Sequence, residues 1–220
     1  MDILYSCKDF TVCVKPAGTD SEVGMPQALS AALGGEFFPV HRLDANVGGI
    51  MVYTRNKNAC ALLSRAFAEG KTEKEYVALV HGTPPPSGEM NDLLFKDSRR
   101  NKVYVVSRPR AGVKQARLSY RLLEAGERSL VRIKLHTGRS HQIRVQFASR
   151  GFPLAGDHKY GSRAPEKAPM LFSCRLCFPS GTSSTALISC RLGHSRPPRS
   201  ANKPRTHGTM FRPLSLRRGI

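Results

Sequence analysis

Between residues 103 and 135 the chain offers three strand-like runs and no helical period: Val103-Tyr104-Val105-Val106, then 116–123, then Leu130-Val131-Arg132-Ile133-Lys134-Leu135. The last alternates apolar with basic residues, the pattern of a strand with one face buried and one in water. Strands that follow one another directly pair antiparallel, because a parallel neighbour needs a long crossover. This stretch therefore sets the fold class, and the remaining elements must pack around it.

Ahead of it, Ile3-Leu4-Tyr5 and Phe10-Thr11-Val12-Cys13-Val14 read as strands, the second closed by Lys15-Pro16. Residues 26–33 read as a short helix with Pro26 in its first turn. A strand is expected at 50–54, an amphipathic helix at 57–69 with Ala59, Leu62, Leu63, Ala66 and Phe67 at helical spacing, and a strand at 75–81. Pro84-Pro85-Pro86 reads as a connector. Helical spacing returns at 138–150 with Ile143, Val145, Phe147 and Ala148, opened by Ser140 as N-cap. The sum is α+β: a mixed, largely antiparallel sheet with a few packed helices. The reading divides the chain into a catalytic domain over 1–179 and an irregular basic tail over 180–220, where Ser, Arg, Pro, Thr and Gly dominate.

The net charge of +19 points to a polyanionic partner. Residues 163–220 hold 11 Lys/Arg and a single acid, Glu166, a net +10; the body retains +9 by itself. RNA or DNA is thus plausible without the tail. No run of 18 apolar residues offers a membrane span, and the first residues lack the pattern of a signal peptide. Six scattered Cys without an export signal read as reduced thiols, so the expected location is cytoplasmic.

Four segments carry chemistry. In His41-Arg42-Leu43-Asp44, followed by Gly48-Gly49, an acid sits on a tight turn just before a strand, where it can reach into a cleft; the plain alternative is a turn-closing Asp. On Lys74-Glu75-Tyr76, alternation puts Lys74 and Tyr76 on one side, and the ring either packs in the core or stacks on a nucleobase. In Thr137-Gly138-Arg139-Ser140-His141-Gln142-Ile143-Arg144, a turn leads into a helix start suited to an anion, with Arg139 and Arg144 as fixed cations. His141 there reads as a hydrogen-bonding scaffold rather than a base, since no Ser or Cys nucleophile accompanies it. In Gly156-Asp157-His158-Lys159-Tyr160-Gly161, two glycines bracket a loop that either lines a groove or packs Tyr160 inward.

Taken together, His-Arg-Leu-Asp at 41–44, Lys-x-Tyr at 74–76, Gly-Arg-Ser-His-Gln-Ile-Arg at 138–144 and Gly-Asp-x-Lys-Tyr-Gly at 156–161 resemble the RluA-type pseudouridine synthases, over roughly residues 2–179. The resemblance implies isomerisation of uridine to pseudouridine in structured RNA (rRNA or tRNA), with no cofactor and no metal, by a monomer without an obligatory protein partner. It implies Asp44 as catalytic aspartate, Tyr76 as the ring that stacks on the target base, and Arg144 as basic partner of the aspartate. His41, Arg42, Lys74, Arg139, His141, Lys159 and Tyr160 would shape the site and meet the RNA.

The chain departs from the family pattern twice. Val47-Gly48-Gly49 stands where Thr-Ser-Gly is usual, and Phe178-Pro179 is followed by sequence that does not match the family's closing segment. An altered reading frame or a divergent tail would account for the second. No separate RNA-binding segment is evident ahead of Asp44, so target choice is expected to rest on the body, the tail or a partner. Cys174, Cys177, Cys190 and His194 have zinc-finger spacing, but the first two fall on a strand-like run that would point them to opposite faces. Two rival functions remain: a non-catalytic RNA-binding protein that kept the fold, and a glycoside-cleaving hydrolase. The hydrolase needs a second carboxylate, and no second acid belongs to the set.

Overall fold

The computed structural model describes residues 1–179, together with the backbone of 185–189 and 217–218. Its strands are β1 (Asp2–Ser6), β2 (Phe10–Lys15), β3 (Phe38–Pro39), β4 (Gly48–Thr54), β5 (Glu73–His81), β6 (Ser87–Asp97), β7 (Lys102–Val106), β8 (Val113–Glu124), β9 (Arg128–Leu135), β10 (Leu171–Pro179), β11 (Thr185–Ser189) and β12 (Arg217–Arg218). The helices are α1 (Gly24–Leu33), α2 (Lys57–Ala68) and α3 (Gln142–Ala148), with a short 3-10 turn at His158–Tyr160. The strands run in the order β1-β2-β4-β10-β5-β9-β8-β6-β7, and β11 pairs with the outer half of β10. Among the described pairings, β4 with β10 is parallel and the others are antiparallel. This is the mixed, mostly antiparallel α+β sheet that the strand-rich middle calls for.

On β8 and β9 buried and more exposed residues alternate, whereas β4 is covered on both faces and buried along its whole length. Its period of two sends Ile50 and Val52 to one face, where they meet Leu63 of α2, Leu176 and Phe178. Met51 and Tyr53 point to the other, against Met25 and Leu29 of α1 and into the cluster that holds Ile143 and Phe147 of α3. Each such side chain contributes about 1.5–3 kcal/mol on burial. Helix α2 starts where Asn56 Oδ1 accepts from the Ala59 N–H at 2.8 Å, and ends before Gly70 in the left-handed region. Leu62 falls on its outer face, 47% exposed, so only part of the expected apolar stripe is core.

The structure adds one element and corrects another. Residues 87–97, where the sequence pattern assigns no element, form β6, eleven residues long and paired on one side with β8 and on the other with β7. Its Gly88, Asn91 and Asp92 disfavour strand locally; two neighbouring strands override them. The helix expected from 138 begins at Gln142, is seven residues long, and is entered through His141 in the left-handed region rather than through a Ser140 cap. No side chain caps the helix, and the Gln142 amide instead holds the loop that leads into it. Its oxygen accepts from Thr137 Oγ1 (2.8 Å) and the Arg139 N–H (3.0 Å), and its nitrogen donates to the Arg117 carbonyl (3.1 Å).

Strand β10 joins two half-sheets. One carries β1, β2 and β4; the other carries β5 to β9. The junction needs glycine: at Gly49, with φ +133°, a Cβ would lie 2.4 Å from the Ser173 backbone nitrogen. The Gly48-Gly49 pair is thus the seam between β4 and β10. Beyond Pro179, the expected irregular tail lies outside the described residues, apart from the paired backbone of β11 and β12.

Candidate active site

The turn that bears Asp44 closes with the Val47 N–H donating to the Asp44 carbonyl at 2.9 Å. Both neighbouring carbonyls are gripped from outside the turn. Leu43 O accepts from Ser21 Oγ (3.0 Å); Ala45 O accepts from the Gly18 N–H (2.8 Å) and from Lys15 Nζ (2.9 Å). Lys15 is fully buried, and its ammonium also donates to the carbonyls of Pro16 (3.0 Å) and Thr19 (2.8 Å). Burial pulls the amine down to about 8, against the opposing charges of Asp20 and Asp44. A cation with backbone partners thereby ties the 15–20 segment to the Asp44 turn.

Across the cleft, Arg144 of α3 donates from Nη1 to Asp44 Oδ2 at 2.9 Å. Its other edge meets Asp157 in a two-pronged pair, Nε to Oδ2 at 2.7 Å and Nη2 to Oδ1 at 2.9 Å. The guanidinium lies 5.1 Å from the centre of the Tyr160 ring. Burial disfavours its charge, but Asp157 and Asp44 outweigh burial and hold Arg144 well above its ordinary value. Asp157 is 1% exposed and its loop is pinned. At Gly156, φ +75°, a Cβ would sit 2.2 Å from the Ala168 carbonyl oxygen, and Ser162 Oγ accepts from the Gly156 (3.0 Å) and Ala164 (3.2 Å) N–H groups.

His141 places Nε2 3.8 Å from Asp44 Oδ2 and Nδ1 2.8 Å from the Tyr160 hydroxyl. Tyr160 Oη also accepts from the Val103 N–H at 2.9 Å, so Tyr160 is both a wall of the cleft and a packed side chain. Tyr76 is buried on β5; burial raises its phenol, the Asp44 charge adds to this, and a hydrogen bond with Ser173 opposes it. The ring therefore carries a neutral hydroxyl.

The other expected residues sit differently. Arg42, Arg139 and Lys159 are exposed. Arg42 pairs with Glu22 at 3.0 Å, Arg139 Nε donates to the Gln115 carbonyl at 3.0 Å, and Lys159 donates to the Asn101 carbonyl at 3.0 Å. His41 and Lys74 gather on Phe67 instead of Asp44. The His41 ring stacks on Phe67 at 4.6 Å, its Nε2 accepts from the Val52 N–H at 3.1 Å, and burial with the nearby Lys74 lowers it to about 3. Lys74 Nζ lies 5.6 Å from the Phe67 ring and also fills the space where a Gly138 Cβ would come within 3.3 Å.

A family profile described as RNA pseudouridylate synthase matches residues 7–149. The chain belongs to that family. Its RluA-type character rests on 34% identity over 192 residues to the dual-specificity RNA pseudouridine synthase RluA of Pasteurella multocida, covering 80% of this chain and 83% of that one. An uncharacterized RNA pseudouridine synthase of Chloroflexus aurantiacus is 38% identical over 152 residues, 67% of this chain; the chain spans 47% of that relative's length. Among solved structures, human RNA pseudouridylate synthase domain containing 1 matches with a TM-score of 0.76 at 26% identity, over 86% of this chain and 82% of that one.

Sequence reasoning missed two residues of this cluster, Lys15 and Asp157. Asp157 stood inside a quoted motif, flanked by a glycine, but nothing local to it signals a partner on α3. The expectation that no second acid joins the set is corrected: Asp157 does. Both its oxygens accept from Arg144, so Asp157 is held as an ion-pair partner rather than offered as the second carboxylate a hydrolase uses. Cys174 is buried on β10 and Cys177 half-buried, while Cys190 and His194 fall outside the described residues. Among the described residues no helix is long and apolar enough to cross a membrane.

Proposed function

We propose that this chain converts uridine to pseudouridine within structured RNA, rRNA or tRNA, with Asp44 as the reacting carboxylate. The observation that carries this reading is the Asp44–Arg144 pair, 2.9 Å long and backed by Asp157. RNA binding by itself needs no acid in a basic cleft. Isomerisation does: the N1–C1′ bond must break, the uracil must turn, and C5 must join C1′. An ionised carboxylate serves by attack on C1′ or by removal of a sugar proton. The ion pair and hydrogen bond recorded for Asp44 both fall on Oδ2, so Oδ1 is the oxygen offered to the sugar.

Tyr76 supplies a neutral aromatic face for the detached uracil, and its hydroxyl is placed to take part in proton transfer at C5. Arg144 gives the carboxylate a fixed partner. Arg42, Arg139 and Lys159 line the exposed rim as contacts for phosphate, and Lys74 and His41 hold the floor near Phe67. Extruding the target base costs a few kcal/mol, least where it is already unpaired, which favours loops of a folded RNA. The reading includes a monomer in the cytoplasm, in keeping with the thiols of Cys7, Cys13, Cys60 and Cys177, which form no disulfide among the described residues.

The test is release of tritium from RNA carrying [5-3H]uridine, since C5 loses its hydrogen when it bonds to C1′. Purified protein should release it and Asp44→Asn should not, with RNA affinity retained. RNA binding without release by the wild type would instead establish the non-catalytic reading.

A further inference from the structure

Five groups meet at His141. Asp44 lies on its Nε2 side and Tyr160 on its Nδ1 side, while the charges of Arg144, Asp157 and Lys159 bear on it from α3 and the loop at 157–159. Lys102 of β7 sits 5.6 Å from the centre of the Tyr160 ring. The backbone under this imidazole is unusual: φ +50° and ψ 20° place it in the left-handed region, a conformation costing about 1–3 kcal/mol outside glycine. Gln142 clamps the preceding loop to β8, and the Val145 N–H donates to the His141 carbonyl at 3.0 Å, so the strained geometry is held from both ends.

The hydrogen-bond directions can be followed from the far end. Backbone N–H of Val103 only donates, so Tyr160 Oη accepts there. The phenol then has one proton to give, and His141 Nδ1 at 2.8 Å is the acceptor in reach. An imidazole that accepts at Nδ1 carries its proton on Nε2, the nitrogen facing Asp44. Burial, with Arg144 and Lys159, disfavours a second proton on the ring more than Asp44 and Asp157 favour it.

We infer that His141 and Tyr160 are positioning residues for Asp44: the relay from Val103 N–H through Tyr160 Oη to His141 Nδ1 fixes a neutral ring whose Nε2–H faces Oδ2 and leaves Oδ1 for the substrate. This rests on Asp44 being the reacting carboxylate. At 3.8 Å the contact exceeds hydrogen-bond length, so the ring steers the anion by charge–dipole attraction without cancelling its charge. Held by Arg144 alone, the Asp44 carboxylate could pivot about its single bond at Oδ2; the imidazole facing the same oxygen removes that freedom. With its proton on Nε2 the ring has no lone pair toward the cleft and is not the base.

Nitrogen-15 NMR of the labelled full chain, with His141 assigned by difference from His141→Gln, tests the relay independently of turnover. The expected spectrum is a single neutral tautomer with Nε2–H at pH 7.5. An Nδ1–H tautomer, or a charged ring at pH 7, would overturn the proposal. Tyr160→Phe removes the donor to Nδ1, so the nitrogen-15 spectrum should show a mixture of the two neutral tautomers, and the single-turnover rate should fall severalfold. In the double variant Tyr160→Phe/His141→Gln the rate should fall no further than in His141→Gln alone. If Tyr160→Phe keeps the single Nε2–H tautomer, or the two substitutions act additively on the rate, the relay does not position Asp44. The expected tautomer with no tritium release from any RNA would support the relay and count against the isomerase reading alone.

Discussion

The ammonium of Lys15 lies 2.9 Å from the carbonyl oxygen of Ala45, so the residue next to Asp44 hangs from a buried cation. Lys15→Met keeps the length and removes three donors. It should cost about 2–3 kcal/mol near neutral pH, because carbonyls left buried without partners cost about 1–3 kcal/mol each. The pH dependence has a definite sign. Burial lowers the folded-state amine from 10.5 to about 8, so between those values the unfolded chain binds a proton that the folded chain has lost. Stability carried by Lys15 is constant below pH 8 and rises from 8 to 10.5. Urea unfolding of wild type and Lys15→Met at pH 7, 8, 9 and 10 should show the difference growing in favour of wild type; a constant difference would mean the amine is not shifted.

Arg144→Lys retains the charge but loses the fork that reaches two carboxylates at once. The single-turnover rate should fall about 100-fold, the cost of misplacing a reacting group by roughly 1 Å. RNA affinity should stay within about twofold. A comparable fall in affinity would place Arg144 on phosphate rather than on Asp44.

Asp157→Asn is nearly isosteric and touches no part of the cleft that a substrate would occupy. It leaves Arg144 buried with one anionic partner in place of two, and should destabilise the fold by about 3 kcal/mol, as breaking a buried ion pair does. Activity should fall with it, since the guanidinium loses the brace that aims Nη1. Thermal unfolding, with tritium release assayed well below the midpoint, separates the two effects.

Gly49→Ala drives a Cβ into the Ser173 backbone at 2.4 Å, and neither strand can retreat without parting β4 from β10. The expected result is loss of soluble folded protein. At Gly151 the added methyl meets nothing within 4 Å and only the left-handed φ of +83° opposes it, so Gly151→Ala should cost about 1 kcal/mol. Equal losses at both would put the cause in φ alone.

Arg139 and Lys159 each spend a hydrogen bond on a backbone carbonyl yet keep their charge at the surface. Changing either to Ala should lower the slope of log K against log salt for RNA by about 0.7–0.9, while the rate at saturating RNA holds. An unchanged slope would take that residue off the RNA path.

What the sequence showed depended on how local the cause was. The Asp44 turn, the Gly48-Gly49 seam and Tyr76 on its strand announce themselves through residues a few positions apart. So does Arg144, once its motif is matched. Lys15 was visible only as the end of a strand, because its three carbonyl partners come together through the path of the chain. Asp157 carried no mark of its link to α3. Ser140 looked like the cap, but the Gln142 side chain draws the 137–139 loop back toward the helix start, and His141 makes the turn with no side-chain cap. Strand β6 was hidden because its polar residues are carried by the two strands it lies between.

Strand β10 has a further consequence, for the order of events during synthesis. Asp44 belongs to the half-sheet of β1, β2 and β4, Arg144 to the half-sheet of β5 to β9, and β10 lies between β4 and β5 although it follows both in the chain. A nascent chain that has emerged only as far as Tyr160 already carries both members of the ion pair, but no strand yet bridges the two half-sheets and sets their register. Contacts so distant in sequence also form slowly. Assembly of the cleft therefore waits on the segment from Leu171 to Pro179, and a ribosome-bound chain stalled before it would carry every expected catalytic residue and no site.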